Sequence, residues 1–316
     1  MSYARSIKNY IRSTSIVQPD EVAAIFLDKF KEKFKEHLIA VILYGSCLHP
    51  STRKPTSSHD FYIVLDTYSS VLPNFFHSII NRALPPNVYY IQLKRGESHI
   101  EAKYNTITLK DLERETTLSA GSFFTLGRFG KKLGVLYLKE GYENRIIDCM
   151  YNAMLTNAHY TLAKMNTEFT LKEFILSLLA LSYEGEVRIE RDTKTLELFE
   201  AFKDFYTSVY SRILAEFSVH TGILIKTGEN YKLNFSPEEL EIRKHVLGRF
   251  IKKSRRLSVM RWPKSIYTFG NYVDYLLLKV ERSKGIKIEL TPLERRFPLI
   301  FGWRHFFRLL RKGMIK

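Results

Sequence analysis

Cysteine is nearly absent from this chain: Cys47 and Cys149 are the only two in 316 residues. Two thiols cannot build a disulfide framework, which sets aside the small secreted scaffolds and predicts a reducing compartment. Long apolar runs are missing as well. Although 45% of the residues are apolar, no stretch approaches the ~20 consecutive apolar residues that a spanning helix needs. The opening segment MSYARSIKNYIRSTS is basic but has no apolar core, so it does not read as a secretory signal. Asp20 and Glu21 follow too soon for a transit peptide. No internal repeat or low-complexity tract is visible. These absences predict a soluble or peripheral cytoplasmic protein, long enough for two domains of roughly 100–200 residues each.

What the chain has in excess is positive charge. It carries 49 Lys and Arg against 33 Asp and Glu, a net charge of +16. From Arg243 to Lys316 there are 20 basic and 4 acidic residues, so residues 1–242 are balanced and the last quarter holds the whole excess. Such a segment calls for an anionic partner.

Residues 21–37 place Ile25, Phe26, Phe30 and Phe34 at helical spacing with lysines between, which predicts an amphipathic helix. LIAVILYG (38–45) predicts a buried strand ending in a tight turn at Gly45. HPSTRKPTSS (49–58) reads as a loop, FYIVLD (61–66) as a second buried strand, and NVYYIQL (87–93) as a third after Pro85-Pro86. Residues 145–217 read as mainly helical. GILIKTGENYKLNF (222–235) predicts a hairpin turning at Thr227-Gly228-Glu229-Asn230, such as the wing of a winged helix.

One constellation carries chemistry. Nucleotidyl transfer needs a tight turn whose backbone holds a triphosphate, and carboxylates that hold magnesium against it. Tyr44-Gly45-Ser46 ends a buried strand, and fourteen residues after Ser46 comes Asp60, opening the next one. A carboxylate on the strand beside a Gly-Ser turn is the arrangement of the nucleotidyltransferase superfamily. Many of its members carry Asp-x-Asp or Asp-x-Glu here, whereas this chain has Asp60-Phe61-Tyr62. A second metal ligand must come from elsewhere, and Asp66 and Glu186 are the candidates. Each feature also has a plainer reading, as a β-turn at Gly45-Ser46 and a turn-capping Asp at position 60.

In its order of motifs the chain resembles the mitochondrial-type phosphatidate cytidylyltransferases, the translocator assembly and maintenance family, and within it a bacterial-like member. The resemblance covers roughly residues 38–215. Tyr44-Gly45-Ser46 and Asp60-Phe61-Tyr62-Ile63 match its first strands; His77 and Asn81 match a His and an Asn four apart; Val88-Tyr89-Tyr90 matches its next strand. Lys103-Tyr104-Asn105-Thr106-Ile107 with Asp111-Leu112, and Leu126-Gly127-Arg128-Phe129-Gly130-Lys131-Lys132, follow in order. The most specific block is Phe169-Thr170, a hydrophobic helix, then Leu181-Ser182-Tyr183-Glu184-Gly185-Glu186-Val187-Arg188-Ile189. Asn105 stands where the family has Gly, Lys132 where it has Pro, and Glu186 where it has Asp.

The resemblance implies an α+β protein, with a nucleotidyltransferase-fold domain over 1–140 and a helical, winged-helix-like domain over 141–242; composition alone marks 243–316 as a basic amphipathic membrane-association region. The resemblance also implies an enzyme that transfers CMP from CTP to phosphatidic acid with magnesium or another divalent cation, releasing pyrophosphate. Asp60 would hold the metal, with Glu186 and Asp66 as further ligands. Tyr44, Gly45 and Ser46 would hold the triphosphate, and Lys103, Arg128 and Arg188 would neutralise phosphate charge. Asp60, Lys103, Arg128 and Glu186 form the catalytic set. Glu186 and Arg188 equally suit a structural ion pair. Lys131 and Lys132 read as a surface pair, Tyr183 as packing, and His77 and His99 as satisfied histidines.

In the last quarter, KKSRRLSVMRWPKS (252–265) is densely basic, and residues 299–316 interleave Phe301, Trp303, Phe306 and Phe307 with Arg304, Arg308 and Arg311. That composition suits a helix lying at an anionic membrane surface, and places the protein peripherally on the inner face of the cell membrane. A helix packed on the protein's own core is the plainer alternative. No nucleic-acid partner is expected, yet basic residues among aromatics also bind nucleic acid. Two alternatives therefore remain at this stage: a nucleotidyltransferase acting on an RNA end, which needs a basic groove leading to Asp60, and a non-catalytic membrane adaptor.

Overall fold

The computed structural model describes residues 3–52, 58–70, 84–186 and 194–268, with isolated positions at 277, 290, 291, 293 and 294. His77, Asn81, Arg188 and residues 299–316 lie outside the described residues.

The chain opens with helix α1 (Tyr3–Ser15), whose Ile7 and Ile11 are fully buried. Helix α2 (Glu21–Phe34) follows, capped by Asp20, whose side chain accepts from the Ala23 N–H at 2.7 Å. Its buried stripe is Ala23, Phe26, Leu27, Phe30 and Phe34, which includes three of the four predicted residues; Ile25 stays partly exposed at its edge. Strands β1 (Leu38–Tyr44) and β2 (His59–Leu65) are the two predicted apolar runs. They pair antiparallel, with Tyr44 opposite Asp60. Strand β2 starts two residues earlier than the sequence predicts. His59 is buried there, its ring stacked on Phe61 and its Nε2 3.3 Å from Asp20 Oδ2. Asp60 is therefore a paired strand residue rather than a turn cap.

Strands β3 (Asn87–Arg95) and β4 (Ser98–Thr108) form an antiparallel hairpin, and β4 lies parallel to β2. Helices α3 (Leu109–Glu115) and α4 (Phe123–Phe129) lead to strand β5 (Gly134–Leu138), antiparallel to β1. The result is a mixed sheet in the order β3-β4-β2-β1-β5.

Alternation splits the two faces of this sheet. Val41, Leu43, Phe61, Ile63 and Tyr104 pack against α2 in one core. Ala40, Ile42, Tyr62, Val64 and Ile107 face a second and larger core built with the later helices: α5 (Glu143–Leu162), α6 (Leu171–Glu184) and α8 (Lys203–Thr221). That core takes residues from both sides of position 140. The short helix α7 (Lys194–Ala201) adds Phe199 to it. Strand β6 (Glu168–Thr170) pairs with β8 (Asn230–Leu233), which forms the predicted hairpin with β7 (Leu224–Thr227). The architecture is α+β, with a five-stranded and a three-stranded sheet among the described residues.

Residues 243–268 belong to one long helix, α9 (Pro237–Thr268), and it packs on the protein. Leu247, Phe250, Ser254, Ser258, Arg261 and Lys264 recur at three- and four-residue steps and are all buried. Phe250 stacks on Tyr160 with ring centroids 4.8 Å apart. Ser254 Oγ accepts from the Phe123 N–H at 2.9 Å and donates to the Gly185 carbonyl. The plainer alternative holds for the inner side of this segment. Its outer side carries Lys244, His245, Arg249, Lys252, Lys253 and Arg256 into solvent.

Candidate active site

Register brings the first site residues together. Tyr44 on β1, Asp60 on β2 and Lys103 on β4 form one cross-strand row, with Tyr90 on β3 opposite Lys103. Lys103 Nζ lies 3.3 Å from Asp60 Oδ1, with both side chains partly exposed. Immediately after Tyr44, Gly45 adopts φ +84°, and a Cβ built there would lie 3.4 Å from Asp60 Oδ2. An L side chain at 45 would be strained in its backbone and would stand in contact with that oxygen. The Thr52 hydroxyl donates to the Ser46 carbonyl at 2.9 Å and holds the loop back against the turn.

One step deeper on the same face, Asn105 pairs with Tyr62 across β4 and β2. Asn105 Nδ2 donates to the Tyr44 hydroxyl at 2.7 Å. Burial, then the nearby Asp60 charge, push the Tyr44 phenol up to about 12, so it stays protonated. Tyr62 is fully buried, its hydroxyl 3.3 Å from Thr125 Oγ1, and burial raises its phenol further.

Arg128 closes this face. Its guanidinium lies 3.9 Å from the Phe124 ring centroid and 5.8 Å from that of Tyr44. Arg128 Nη1 and Nη2 donate to Glu186 Oε1 at 2.8 Å and Oε2 at 3.3 Å. Arg128 sits on α4 and Glu186 just past the end of α6, so these helices must approach closely. They do so at Gly127, where a Cβ would fall 2.6 Å from Ser182 Cβ, and at Gly185, where it would strike the Phe123 ring. The family-like block from Leu181 to Glu186 is thus explained in part by packing.

Of the proposed metal carboxylates, Asp66 stands apart from Asp60. Asp66 follows β2 at the end opposite Asp60, ~20 Å away at the rise of a strand, and pairs with His37 at 3.0 Å. Glu186 is 5% exposed and engaged by Arg128. No group of three His, Cys, Asp or Glu side chains suited to a metal occurs among the described residues. Asp60 remains, a partly exposed carboxylate at the strand end. One carboxylate suits magnesium that is held largely through water and substrate phosphates.

Other expectations change. Lys132 is not a surface residue: its ammonium donates to the Thr14 carbonyl and lies 3.3 Å from Ser15 Oγ, and burial lowers it to about 8. Lys131 sits 3.9 Å over the Tyr183 ring, so Tyr183 does pack. His99 is exposed on the β3–β4 hairpin, opposite Lys94 and away from the Asp60 end of the row.

Sequence reasoning missed three polar residues of this face: Asn105, Arg261 and Lys264. Arg261 Nη2 donates to Ser122 Oγ and the Pro85 carbonyl, each at 3.1 Å, and its guanidinium is 4.9 Å from the Phe124 ring. Lys264 Nζ donates to the Leu84 carbonyl at 3.1 Å. The helical recurrence of 247, 250, 254, 258, 261 and 264 was the signal that pointed both cations inward.

No protein-family model matches the chain. Over 258 residues it is 24% identical to the mitochondrial phosphatidate cytidylyltransferase of Saccharomyces cerevisiae, a match spanning 70% of this chain. It spans 65% of that protein's length, just under two thirds. A crystal structure of a nucleotidyltransferase-like protein from Exiguobacterium sibiricum aligns over 93% of this chain and 91% of its own, at 9% identity. Its TM-score of 0.27 is too low to establish a common fold. The chain is thus distantly similar to a cytidylyltransferase, through a yeast protein rather than a bacterial one.

Proposed function

We propose that this protein is a nucleotidyltransferase that moves CMP from CTP to phosphatidic acid, forming CDP-diacylglycerol and pyrophosphate at a membrane surface. The observation that carries the proposal is the cross-strand row of Tyr44, Asp60 and Lys103 beside the left-handed Gly45 turn. The distant similarity to a phosphatidate cytidylyltransferase supplies the lipid acceptor. In this reading the first part of the chain works as a nucleotidyltransferase domain, and the β7–β8 hairpin is the wing of a winged-helix-like one.

Each residue has a task that its position suits. Gly45 lets the triphosphate approach the backbone beside Asp60, and the Ser46 hydroxyl adds a donor. Lys103 faces the same carboxylate and neutralises charge on the departing pyrophosphate. Arg128 is held by Glu186 and Phe124 in one orientation, which preorganises its charge. Asp60 would hold a magnesium ion, which when bound neutralises the phosphate oxygens and polarises the α-phosphate.

The chemistry is a single displacement. An anionic phosphate oxygen of phosphatidic acid bonds to the α-phosphorus of CTP, and the bond from that phosphorus to the bridging oxygen of pyrophosphate breaks. The attacking oxygen is already anionic at neutral pH, so no general base is required. Positioning and charge neutralisation supply the rate.

The outer side of α9 suits the membrane. Arg249, Lys252, Lys253 and Arg256 are exposed there, with Ile242, Val246 and Met260 exposed on the same helix. No helix among the described residues is long and apolar enough to cross a membrane.

The test is product analysis. The purified protein is incubated with CTP labelled at the α-phosphate, magnesium, and phosphatidic acid in mixed micelles. Label in the lipid phase as CDP-diacylglycerol, with stoichiometric pyrophosphate, is the expected result. CTP binding without a lipid product would remove the acceptor assignment.

A further inference from the structure

The hydrogen bond between Asn105 and Tyr44 leaves both partners with capacity to spare. Asn105 is 2% exposed, and its Nδ2 donates to the Tyr44 hydroxyl at 2.7 Å. Its Oδ1 is buried and meets no donor among the described residues. A buried acceptor without a donor costs stability, and an apolar side chain of the same shape would avoid that cost. Packing therefore gives no reason for an amide at this position. On the other side of the bond, the Tyr44 oxygen accepts from Asn105, and no described residue accepts the phenolic proton.

The fold sets this hydroxyl beneath the site. Tyr44 is on β1 and Asn105 on β4, with β2 between them. Neighbouring strands lie ~4.8 Å apart, so the phenol crosses β2 to reach the amide. It starts opposite Asp60 and ends in the row of Tyr62, which pairs with Asn105. The Tyr44 and Tyr62 ring centroids are 5.3 Å apart. Asp60, Arg128 and Lys103 all bear on the ionisation of the phenol, and the Arg128 guanidinium lies 5.8 Å from its ring centroid. These are the groups that the proposed reaction gives to the metal and the phosphates. Burial, then the Asp60 charge, keep the phenol protonated at neutral pH, so it is a hydrogen-bond donor. A phenolic O–H lies close to the ring plane and has two orientations. The Asn105 N–H occupies one side of the oxygen, which turns the proton to the other.

We propose that Asn105 is a positioning residue: by donating to the Tyr44 oxygen it turns the phenolic proton toward the phosphate chain of the nucleotide, and Tyr44 donates to a phosphate oxygen held between Lys103 and Arg128. That the phosphate chain belongs to CTP rests on the reading given under Proposed function. A donor fixed in advance toward phosphate charge is what phosphoryl and nucleotidyl transfer ask of the protein.

Calorimetric binding of magnesium-CTP to the full-length protein tests this, with magnesium tripolyphosphate as a second probe. Tyr44→Phe is expected to weaken CTP binding about 10- to 100-fold, the worth of one hydrogen bond to a charged group. Asn105→Asp is expected to weaken it as much, because a carboxylate accepts the phenolic proton and draws it away from the phosphates. Asn105→Leu leaves the hydroxyl unguided and is expected to weaken binding about 3- to 10-fold, the cost of ordering one side chain on binding. Either Asn105 variant carries the test if the other fails to fold. In the Tyr44→Phe background neither Asn105 substitution should cost anything further, a non-additivity that a merely structural or electrostatic role for Asn105 would not produce. Unchanged affinity in Tyr44→Phe or in the Asn105 variants, or losses at the two positions that multiply, would overturn the proposal. If CTP shows the expected pattern and no lipid product forms, the positioning role stands and the lipid acceptor falls. If tripolyphosphate shows it and CTP does not bind, the role stands and the nucleotide falls. A wild type that binds neither probe overturns it.

Discussion

Lys103 Nζ and Asp60 Oδ1 meet at 3.3 Å across the parallel pair of β4 and β2. A carboxylate and an ammonium one strand apart, both partly open to solvent, contribute at most about 1 kcal/mol to stability. The pair therefore explains little about folding and more about charge placement. Asp60→Asn is expected to lower CMP transfer by on the order of 10²–10³-fold, the usual loss for a charge-stabilising group. Its melting temperature should stay close to wild type. A large drop in melting temperature with activity retained would make Asp60 structural.

Gly45→Ala separates geometry from charge. The substitution places a Cβ at φ +84° and 3.4 Å from Asp60 Oδ2. We expect a stability loss of about 1–2 kcal/mol from the left-handed backbone, and a larger fall in kcat than in CTP affinity. Denaturant titration and steady-state kinetics on one preparation read both. Wild-type activity in this variant would remove the close approach of triphosphate to the turn.

The Arg128–Glu186 pair makes a thermodynamic claim. Its side chains are 14% and 5% exposed and doubly hydrogen-bonded. Breaking a buried pair by removing one partner costs about 3–5 kcal/mol, so Arg128→Met and Glu186→Gln should each destabilise strongly. The double variant should lose less than the sum of the two. Additive losses in a double-mutant cycle would show that the two groups do not act on each other.

Lys132 gives a pH signature. The folded protein holds its ammonium at about 8 by burial, whereas an unfolded lysine titrates near ~10.4. Between these values the unfolded chain binds more protons. Stability from this residue is complete above ~10.4 and is lost as pH falls to about 8. Across that window the wild type should gain stability with pH relative to Lys132→Met, by up to about 1.4 kcal/mol per pH unit. Parallel stability curves for the two proteins would place Lys132 in solvent.

The sequence announced some of this structure and hid the rest for identifiable reasons. Strands β1 and β2 were legible because both their faces are buried, which leaves an unbroken apolar run. The β7–β8 turn was legible through Gly228, which takes φ +61°. Strand β4 escaped because Glu101, Lys103 and Asn105 interrupt its pattern, and they do so because one face carries the site. Asp66 was legible as the weaker ligand candidate, since six residues of extended strand carry it to the other end of the sheet. Lys132 looked like surface charge beside Lys131, and nothing local reveals that α1 folds back to cover it. Arg261 and Lys264 were counted with a basic tail. Charge composition says that an anion is wanted, and only helix phase says on which side.

The central claim is that the row of Tyr44, Asp60 and Lys103 is the centre of a CMP transfer. The most direct measurement is the initial rate of CDP-diacylglycerol formation from CTP, magnesium and phosphatidic acid by the wild type and by Asp60→Ala, with both proteins shown to be folded. The account predicts product from the wild type and none above background from the variant. Equal rates from the two proteins, or no product from a wild type that is folded and binds CTP, would contradict it.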